Sequence, residues 1–257
     1  MEKEEVIKKI ISKKEFSELP LEDVRMVFKK FDKENYSAEE KVKLTRDLLR
    51  KMYTVFLSTK LLKYKEKNFE WFLKKHFSTK ERFENYEKLY RRIFANFSGK
   101  LNLYDLGCGV NAFSSVFFPK NLEINYFGVE AVGQLIEVQK KFFEGKKTFH
   151  FFHESLFNFN EIKRIVEKDK GKKVLFLFKA LDSLEMLKKD YSKILLKEIV
   201  PLVDLVVVSF ATKSLVSKRK FFAERKWLKE FIEKEFKMIE IFEEGNEEYI
   251  LFSKKGL

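Results

Sequence analysis

The segment LNLYDLGCGVN (residues 101–111) joins a short apolar run to a glycine turn, Gly107-Cys108-Gly109. An apolar run of this length that ends at glycine reads as a buried strand. The two glycines let the backbone turn tightly and approach a ligand at the strand's carboxyl edge. Further short apolar runs follow at INYFGV (124–129), TFHFF (148–152), VLFLF (174–178) and DLVVVSF (204–210). Amphipathic stretches at 134–143, 158–168, 183–199 and 222–236 separate them. Strands alternating with helices predict a mostly parallel sheet covered on both faces.

The ending differs. KMIEIF (237–242) and EYILFS (248–253) flank residues 243–247, which include Gly245 and Asn246, and read as a β-hairpin. A parallel sheet closed by an antiparallel hairpin predicts an α/β fold of the class I S-adenosylmethionine-dependent methyltransferase type: Rossmann-like, with a mostly parallel seven-stranded sheet and a terminal hairpin. Upstream of residue 99 the pattern is helical. Val6, Ile10 and Ile11 share a face, as do Val24, Val27, Phe28 and Phe31. Ser37 with Glu40 forms a capping-box pattern ahead of a long helix through Leu44, Leu48, Met52, Val55 and Phe56. Ser78 with Glu81 repeats that pattern before the stripe Phe83, Tyr86, Tyr90, Ile93 and Phe97, with Gly99 as the stop. The expected division is an all-α N-terminal domain, 1–98, and a catalytic domain, 99–257.

The chain has 257 residues, 45% of them hydrophobic, enough for a real core. No run reaches the roughly 18 apolar residues that span a bilayer, and MEKEEVIKKI lacks a secretory apolar region, so a cytoplasmic protein with no membrane partner is expected. The single cysteine, Cys108, excludes an internal disulfide framework and a cysteine-built zinc site. Many Lys and Glu and few Gln match a thermophilic composition. The formal net charge is +13, unevenly spread. Residues 1–49 are balanced, residues 50–100 carry +9 and the remainder carries +4. The basic block is interleaved with Tyr53, Tyr64, Phe69, Trp71, Phe72, Phe77 and Tyr90. Lys and Arg meet phosphates and rings stack on bases, so the block suits a polyanion; a solvated helix face with inward-packed aromatics gives the same pattern.

A G-x-G turn alone is weak evidence for a cofactor. Glu130 strengthens it, because it ends the second strand about twenty residues on, where a carboxylate can hold both ribose hydroxyls. Gly107, Gly109 and Ala112 also satisfy G-x-G-x-x-A, which leaves a nicotinamide enzyme open. Asp105 argues against that alternative, since a carboxylate there repels a pyrophosphate but can organise the ammonium end of S-adenosyl-L-methionine. The terminal hairpin points the same way. Cys108, Asn111 and Ala131 belong with these turns. Glu154, Ser155 and Leu156 follow the third strand, where such folds usually place a polar residue on the adenine amino group. Lys179 and Ala180 follow the fourth strand and face the methionine moiety and the substrate. The bland alternatives are a loop carboxylate for Glu154 and a surface cation for Lys179.

The runs HFSTKERFENYEKLYRRIF (76–94), LYDLGCGVNAFS (103–114), LFLFKALDSLE (175–185) and VVSFATKSL (207–215) resemble the Arm/Rmt family of 16S ribosomal RNA guanine-N7 methyltransferases, of the aminoglycoside-resistance type. The resemblance covers roughly residues 50–220. Ala112 and Ala211 stand where that family usually has proline, and Val-Ser-Lys-Arg-Lys replaces a glycine-rich segment after Leu215; a housekeeping RNA methyltransferase of the lineage fits the thermophilic composition. The resemblance implies methyl transfer to RNA by a chain expected as a monomer, with ribosomal RNA or the small ribosomal subunit as partner. Ser209, Phe210 and Lys213 would border the target base, Phe210 stacking on it unless its ring packs in the core. Lys63, Lys65, Lys74, Lys75, Thr212, Ser214 and Arg219 would contact RNA, and Arg82 would reach over the cofactor or contact RNA. No metal is expected. His76, His150 and His153 form no acid–base constellation and read as structural. A methyltransferase of another RNA, a protein or a small molecule, and an RNA-binding protein with a relict pocket, are the competing functions.

Overall fold

The computed structural model describes residues 2–54, 61, 68–212 and 225–256. Seven strands form one sheet in the order β3-β2-β1-β4-β5-β7-β6. They are β1 (Gly99–Leu106), β2 (Leu122–Glu130), β3 (Phe149–His153), β4 (Lys173–Phe178), β5 (Leu205–Ala211), β6 (Lys237–Glu244) and β7 (Glu247–Ser253). The first five run parallel, and β7 pairs antiparallel with both β5 and β6. This is the expected sheet with its terminal hairpin.

Period-2 alternation divides the core. Leu101 and Leu103 of β1, Val174 and Phe176 of β4, and Tyr249 and Leu251 of β7 enter one apolar cluster. Their neighbours Tyr104, Leu175, Leu177, Ile250 and Phe252 enter the other. Helices α8 (Phe159–Glu167), α9 (Leu181–Leu187), α10 (Tyr191–Ile199) and α11 (Lys226–Glu235) cover the second face, supplying Ile162, Leu184, Leu195 and Ile232. The first face receives α7 (Gly133–Phe142) and the helices before the sheet: α1 (Lys3–Ile11), α2 (Leu21–Lys29), α3 (Ala38–Leu49), α4 (Phe69–Lys75), α5 (Phe77–Arg82) and α6 (Tyr86–Ile93). Val6, Val24, Leu49, Phe72 and Tyr90 share one continuous cluster with the strands. Phe72 of α4 stacks on Phe113, just after β1, with ring centroids 4.1 Å apart.

Ser37 and Glu40 form the full capping box at the start of α3. The second box does not form. Helix α5 starts at Phe77 without a side-chain cap, because Ser78 Oγ accepts from Arg82 and Glu81 pairs with Lys179. Gly99 does not stop a helix; α6 ends at Ile93, and Gly99, with φ +73°, opens β1. The single helix expected over 183–199 is two, α9 and α10, with Asp190 in the left-handed region at φ 62° between them. The Glu185 carboxylate stabilises the break by accepting from the backbone N–H groups of Asp190 and Ser192. Beyond α3 the chain widens into a π-helical turn, Arg50–Thr54. Val55 and Phe56 of the expected long helix lie outside the described residues. No helix among the described residues is long and apolar enough to cross a membrane.

Candidate functional site

Strand order reverses between β1 and β4, and open α/β sheets hold ligands at that crevice, off the carboxyl strand ends. A cleft enclosing about 820 Å³, its open mouth included, lies there. From β1 and its turn come Asp105, Gly107, Cys108, Gly109 and Asn111; from β2, Glu130 and Ala131; from beyond β3, Leu156 and Phe157; from β4, Phe178, Lys179 and Ala180. Arg82, which precedes the sheet, reaches the same cleft.

Gly107 and Gly109 hold φ +74° and +54°, in the left-handed region that favours glycine. A Cβ on Gly109 would stand 3.0 Å from the His76 imidazole. The turn is fixed by Glu130, whose carboxylate accepts from the N–H groups of Gly109 and Val132, each at 2.9 Å. Burial pushes the Glu130 carboxyl up against these bonds. Asp105 is 1% exposed, and its Oδ2 accepts from Asn111 Nδ2 and from the Tyr126 hydroxyl, both at 2.7 Å. Burial raises this carboxyl too, opposed by those two bonds and by the charge of Arg82.

Two cations share the cleft with the carboxylates. Arg82 Nε donates to Glu247 Oε2 at 3.0 Å, its Nη1 donates to Asn111 Oδ1 at 3.2 Å, and its guanidinium lies 4.8 Å from the centre of the Phe178 ring. Lys179 Nζ donates to Glu81 at 2.5 Å and lies 3.2 Å from Glu247. Lys179 also carries φ 56°, a strained backbone for a non-glycine residue and a common mark of functional sites. Burial raises the Glu247 carboxyl, but the Arg82 and Lys179 charges with the Ser209 hydroxyl bring it below its ordinary value.

Eleven of the residues expected to hold a cofactor therefore share one cleft: Arg82, Asp105, Gly107, Cys108, Gly109, Asn111, Glu130, Ala131, Leu156, Lys179 and Ala180. Glu154 and Ser155 do not line it. Glu154 Oε1 accepts from the Ser155 N–H, and Ser155 Oγ donates to Asp23. At the end of β5 the geometry corrects the base-stacking expectation. Phe210 is wholly buried in the second core cluster with the Arg225 guanidinium 4.5 Å from its ring centre, so its faces are taken by protein. Ser209 is equally buried and donates to Glu247. Thr212 is half-buried and its N–H donates to Asn246 O. Lys63, Lys65, Lys213, Ser214 and Arg219 lie outside the described residues. Lys74 is exposed but paired with Glu70 at 2.5 Å. Lys88, Arg91 and Arg92 have carboxylate partners too, so much of the basic block is neutralised within the fold.

Sequence reasoning missed Met52, Tyr53, Thr79 and Ser183 on the cleft wall, and Glu247 behind it. His76, expected to be structural, lines the cleft, where burial first, then the Arg82 and Lys179 charges, lowers its pKa to about 3. His150 stacks on Phe127, and His153 Nε2 meets Ala131 O at 3.1 Å. Among the described residues no group of three or more His, Cys, Asp or Glu side chains could hold a metal ion.

The donor set fits S-adenosylmethionine. Two buried carboxylates suit an ammonium and a ribose diol, the cations Arg82 and Lys179 suit a carboxylate, and the glycine turn offers a pyrophosphate little, since the N–H groups of Gly107, Cys108, Gly109 and Asn111 are already bonded within the protein.

The fold is that of several solved structures. The 16S rRNA methylase RmtB is 20% identical with a TM-score of 0.78, covering 99% of each chain. The 16S rRNA methyltransferase RmtF, solved with S-adenosyl-L-homocysteine, is 18% identical with a TM-score of 0.78, covering 99% of this chain and all of that one. The 16S rRNA methylase ArmA is 24% identical with a TM-score of 0.59, covering 76% of this chain and 97% of its own. No curated protein sequence matches the chain. The ribosomal RNA methyltransferase (FmrO) family matches residues 66–236, two thirds of the chain, from just before α4 to the end of α11. On that match the chain belongs to the ribosomal RNA methyltransferase (FmrO) family.

Proposed function

We propose that this protein methylates N7 of a guanine in small-subunit (16S) ribosomal RNA, with S-adenosylmethionine as donor. The family match over residues 66–236 carries the reading, because that span holds the whole cleft except Met52 and Tyr53. The similarity to RmtB and ArmA, described as 16S rRNA methylases, supports the small subunit as substrate, and the S-adenosyl-L-homocysteine complex of RmtF supports the donor.

When bound, the cofactor supplies an electrophilic methyl group on a sulfonium. Asp105 would hold its ammonium, Glu130 its ribose hydroxyls, and Arg82 with Lys179 its carboxylate. Guanine N7 carries an unprotonated lone pair at neutral pH, so the protein need only align the acceptor and hold it still. In support, His76, the histidine on the cleft, has its pKa lowered to about 3 and is a weak base. A guanine in a folded helix would have to be flipped out at a cost of a few kcal/mol. The residues after Ala211, among them Lys213, Ser214 and Arg219, would border it.

The helices before Gly99 would serve as the RNA-docking element, with Lys75 and Lys80 available to phosphate: among the described residues neither has an ion-pair partner. The remaining expectations, a monomer working in the cytoplasm of a thermophilic host, belong to the same proposal. The internal pairing of Lys74, Lys88, Arg91 and Arg92 favours a second reading, methyl transfer to a different RNA, a protein or a small molecule. Labelled S-adenosylmethionine offered with small subunits, free 16S RNA and ribosomal protein separates the two. Label in the RNA supports the proposal; label confined to protein, or absent despite cofactor binding, overturns it.

A further inference from the structure

The helices that precede the sheet do more than flank the cleft. Met52 and Tyr53, in the π-helical turn that ends α3, line it directly. Single π-helical turns inside or at the end of α-helices recur at functional sites. Tyr53 does not reach there as an unsupported side chain. Its hydroxyl donates to Asp23 Oδ2 at 2.6 Å, and Asp23, on α2, is 1% exposed. Asp23 in turn accepts from Ser155 Oγ at 2.6 and 2.7 Å, and Ser155 Oγ accepts from the Phe157 N–H at 3.0 Å. One chain of bonds thus runs from the π turn through a buried carboxylate to the loop after β3, whose Leu156 and Phe157 also line the cleft.

A buried carboxylate is unfavourable unless it is satisfied, and here its bonds join two segments 132 residues apart. An apolar contact would cover the core at less expense, but it would not fix a ring against a loop. Tyr53 lines the same cleft as Glu130, the carboxylate assigned to the ribose, and as Leu156 and Phe157.

We infer that Tyr53 is a cofactor-contacting residue that closes the adenosine end of the methyl-donor cleft, and that Asp23 is the positioning residue that holds it against the loop after β3. This rests on the proposed function and deepens it: the helical region, from which Arg82 alone was expected at the cofactor, completes the adenosine end of the site. Cofactor affinity then depends on residues outside the family-matched span.

Calorimetry on the full chain tests this with two probes, S-adenosylhomocysteine and methylthioadenosine, which keeps adenine and ribose but lacks the amino-acid end. Tyr53→Leu is expected to raise Kd at least tenfold for both. Tyr53→Phe, Asp23→Asn and Ser155→Ala, which keep the ring but loosen it, are expected to raise it three- to tenfold, with small-subunit affinity unchanged. Thermal melts identify any variant that fails to fold, and Ser155→Ala is the mildest of the set. Kd values within twofold of wild type in folded variants overturn the inference, as does a loss seen with S-adenosylhomocysteine but not with methylthioadenosine. A wild-type chain that binds neither probe overturns the proposed function itself, and the inference with it.

Discussion

Arg82 and Glu247 stand 165 residues apart in sequence, yet they form an ion pair at 3.0 Å in which both side chains are almost wholly buried. The pair fastens α5 to the first residue of β7, the second strand of the terminal hairpin. Lys88 with Glu244 at 2.6 Å, and Arg92 with Glu240, continue the seam along α6. The helical segment and the edge of the sheet are therefore held in register where the cleft opens.

Glu247→Gln leaves Arg82 and Lys179 short of counter-charge in the interior. Breaking a buried pair from one side costs about 3–5 kcal/mol. Because the folded carboxyl lies below its usual 4.5, its contribution is present above that pH and is lost as pH falls through the lower folded value. Denaturant melts should show the variant destabilised at pH 7 and the gap to wild type closing in acid. A constant gap, or none at pH 7, would refute this account of the pair.

Asp105→Asn separates stability from binding. The Asp105 carboxyl is raised by burial, so its folded-state contribution is favourable below the ordinary 3.8 and is lost as pH rises through the folded value. At pH 7 the neutral amide should leave the melting temperature unchanged or higher. Without the anion, affinity for S-adenosylhomocysteine should fall at least tenfold, about 1.4 kcal/mol. Calorimetry and a thermal melt on one sample decide the matter, and retained affinity would remove Asp105 from the ammonium site.

His76 predicts a pH dependence of its own. Its pKa of about 3 against 6.5 when unfolded means that its contribution is full above pH 6.5 and lost as pH falls from there. The slope is about 1.4 kcal/mol per pH unit. Stability measured by urea titration between pH 7 and 4 should decline accordingly, and His76→Gln should flatten that decline. Methyl transfer should show no inflection near 6.5 assignable to this ring.

Lys75 and Lys80 should act on RNA alone. Charge reversal at both, K75E with K80E, is expected to weaken small-subunit binding and to lower the salt dependence by about one unit per lost phosphate contact. S-adenosylhomocysteine affinity should not move. An unchanged salt slope would place the RNA contact elsewhere.

The strands were legible because each is a short apolar run bounded by glycine or charge, and alternation assigns its two faces without knowledge of the partners. The glycine turn with Asp105 and Glu130 was legible for a related reason: function there rests on spacing within about 25 residues. The α9–α10 break was hidden because residues 183–199 keep helical periodicity across it, while the interruption depends on Glu185 bonding to Asp190 and Ser192. Tyr53, Asp23 and Glu247 were hidden because each gains its meaning from a partner more than 100 residues away or from a turn that sequence does not mark. Phe210 illustrates the opposite error: the resemblance pointed outward, while the alternation of β5, with Val206 and Val208 in the same cluster, pointed inward.

The most direct measurement is a nucleotide map. Small ribosomal subunits incubated with the protein and S-adenosylmethionine are treated with borohydride and aniline, which cleave RNA at N7-methylguanine, and the 16S strand is read by primer extension. One new, cofactor-dependent stop at a single guanine is expected, weakened with Asp105→Asn at limiting cofactor. Methyl incorporation without such a stop, or no incorporation by a chain that binds the cofactor, would contradict the proposed function.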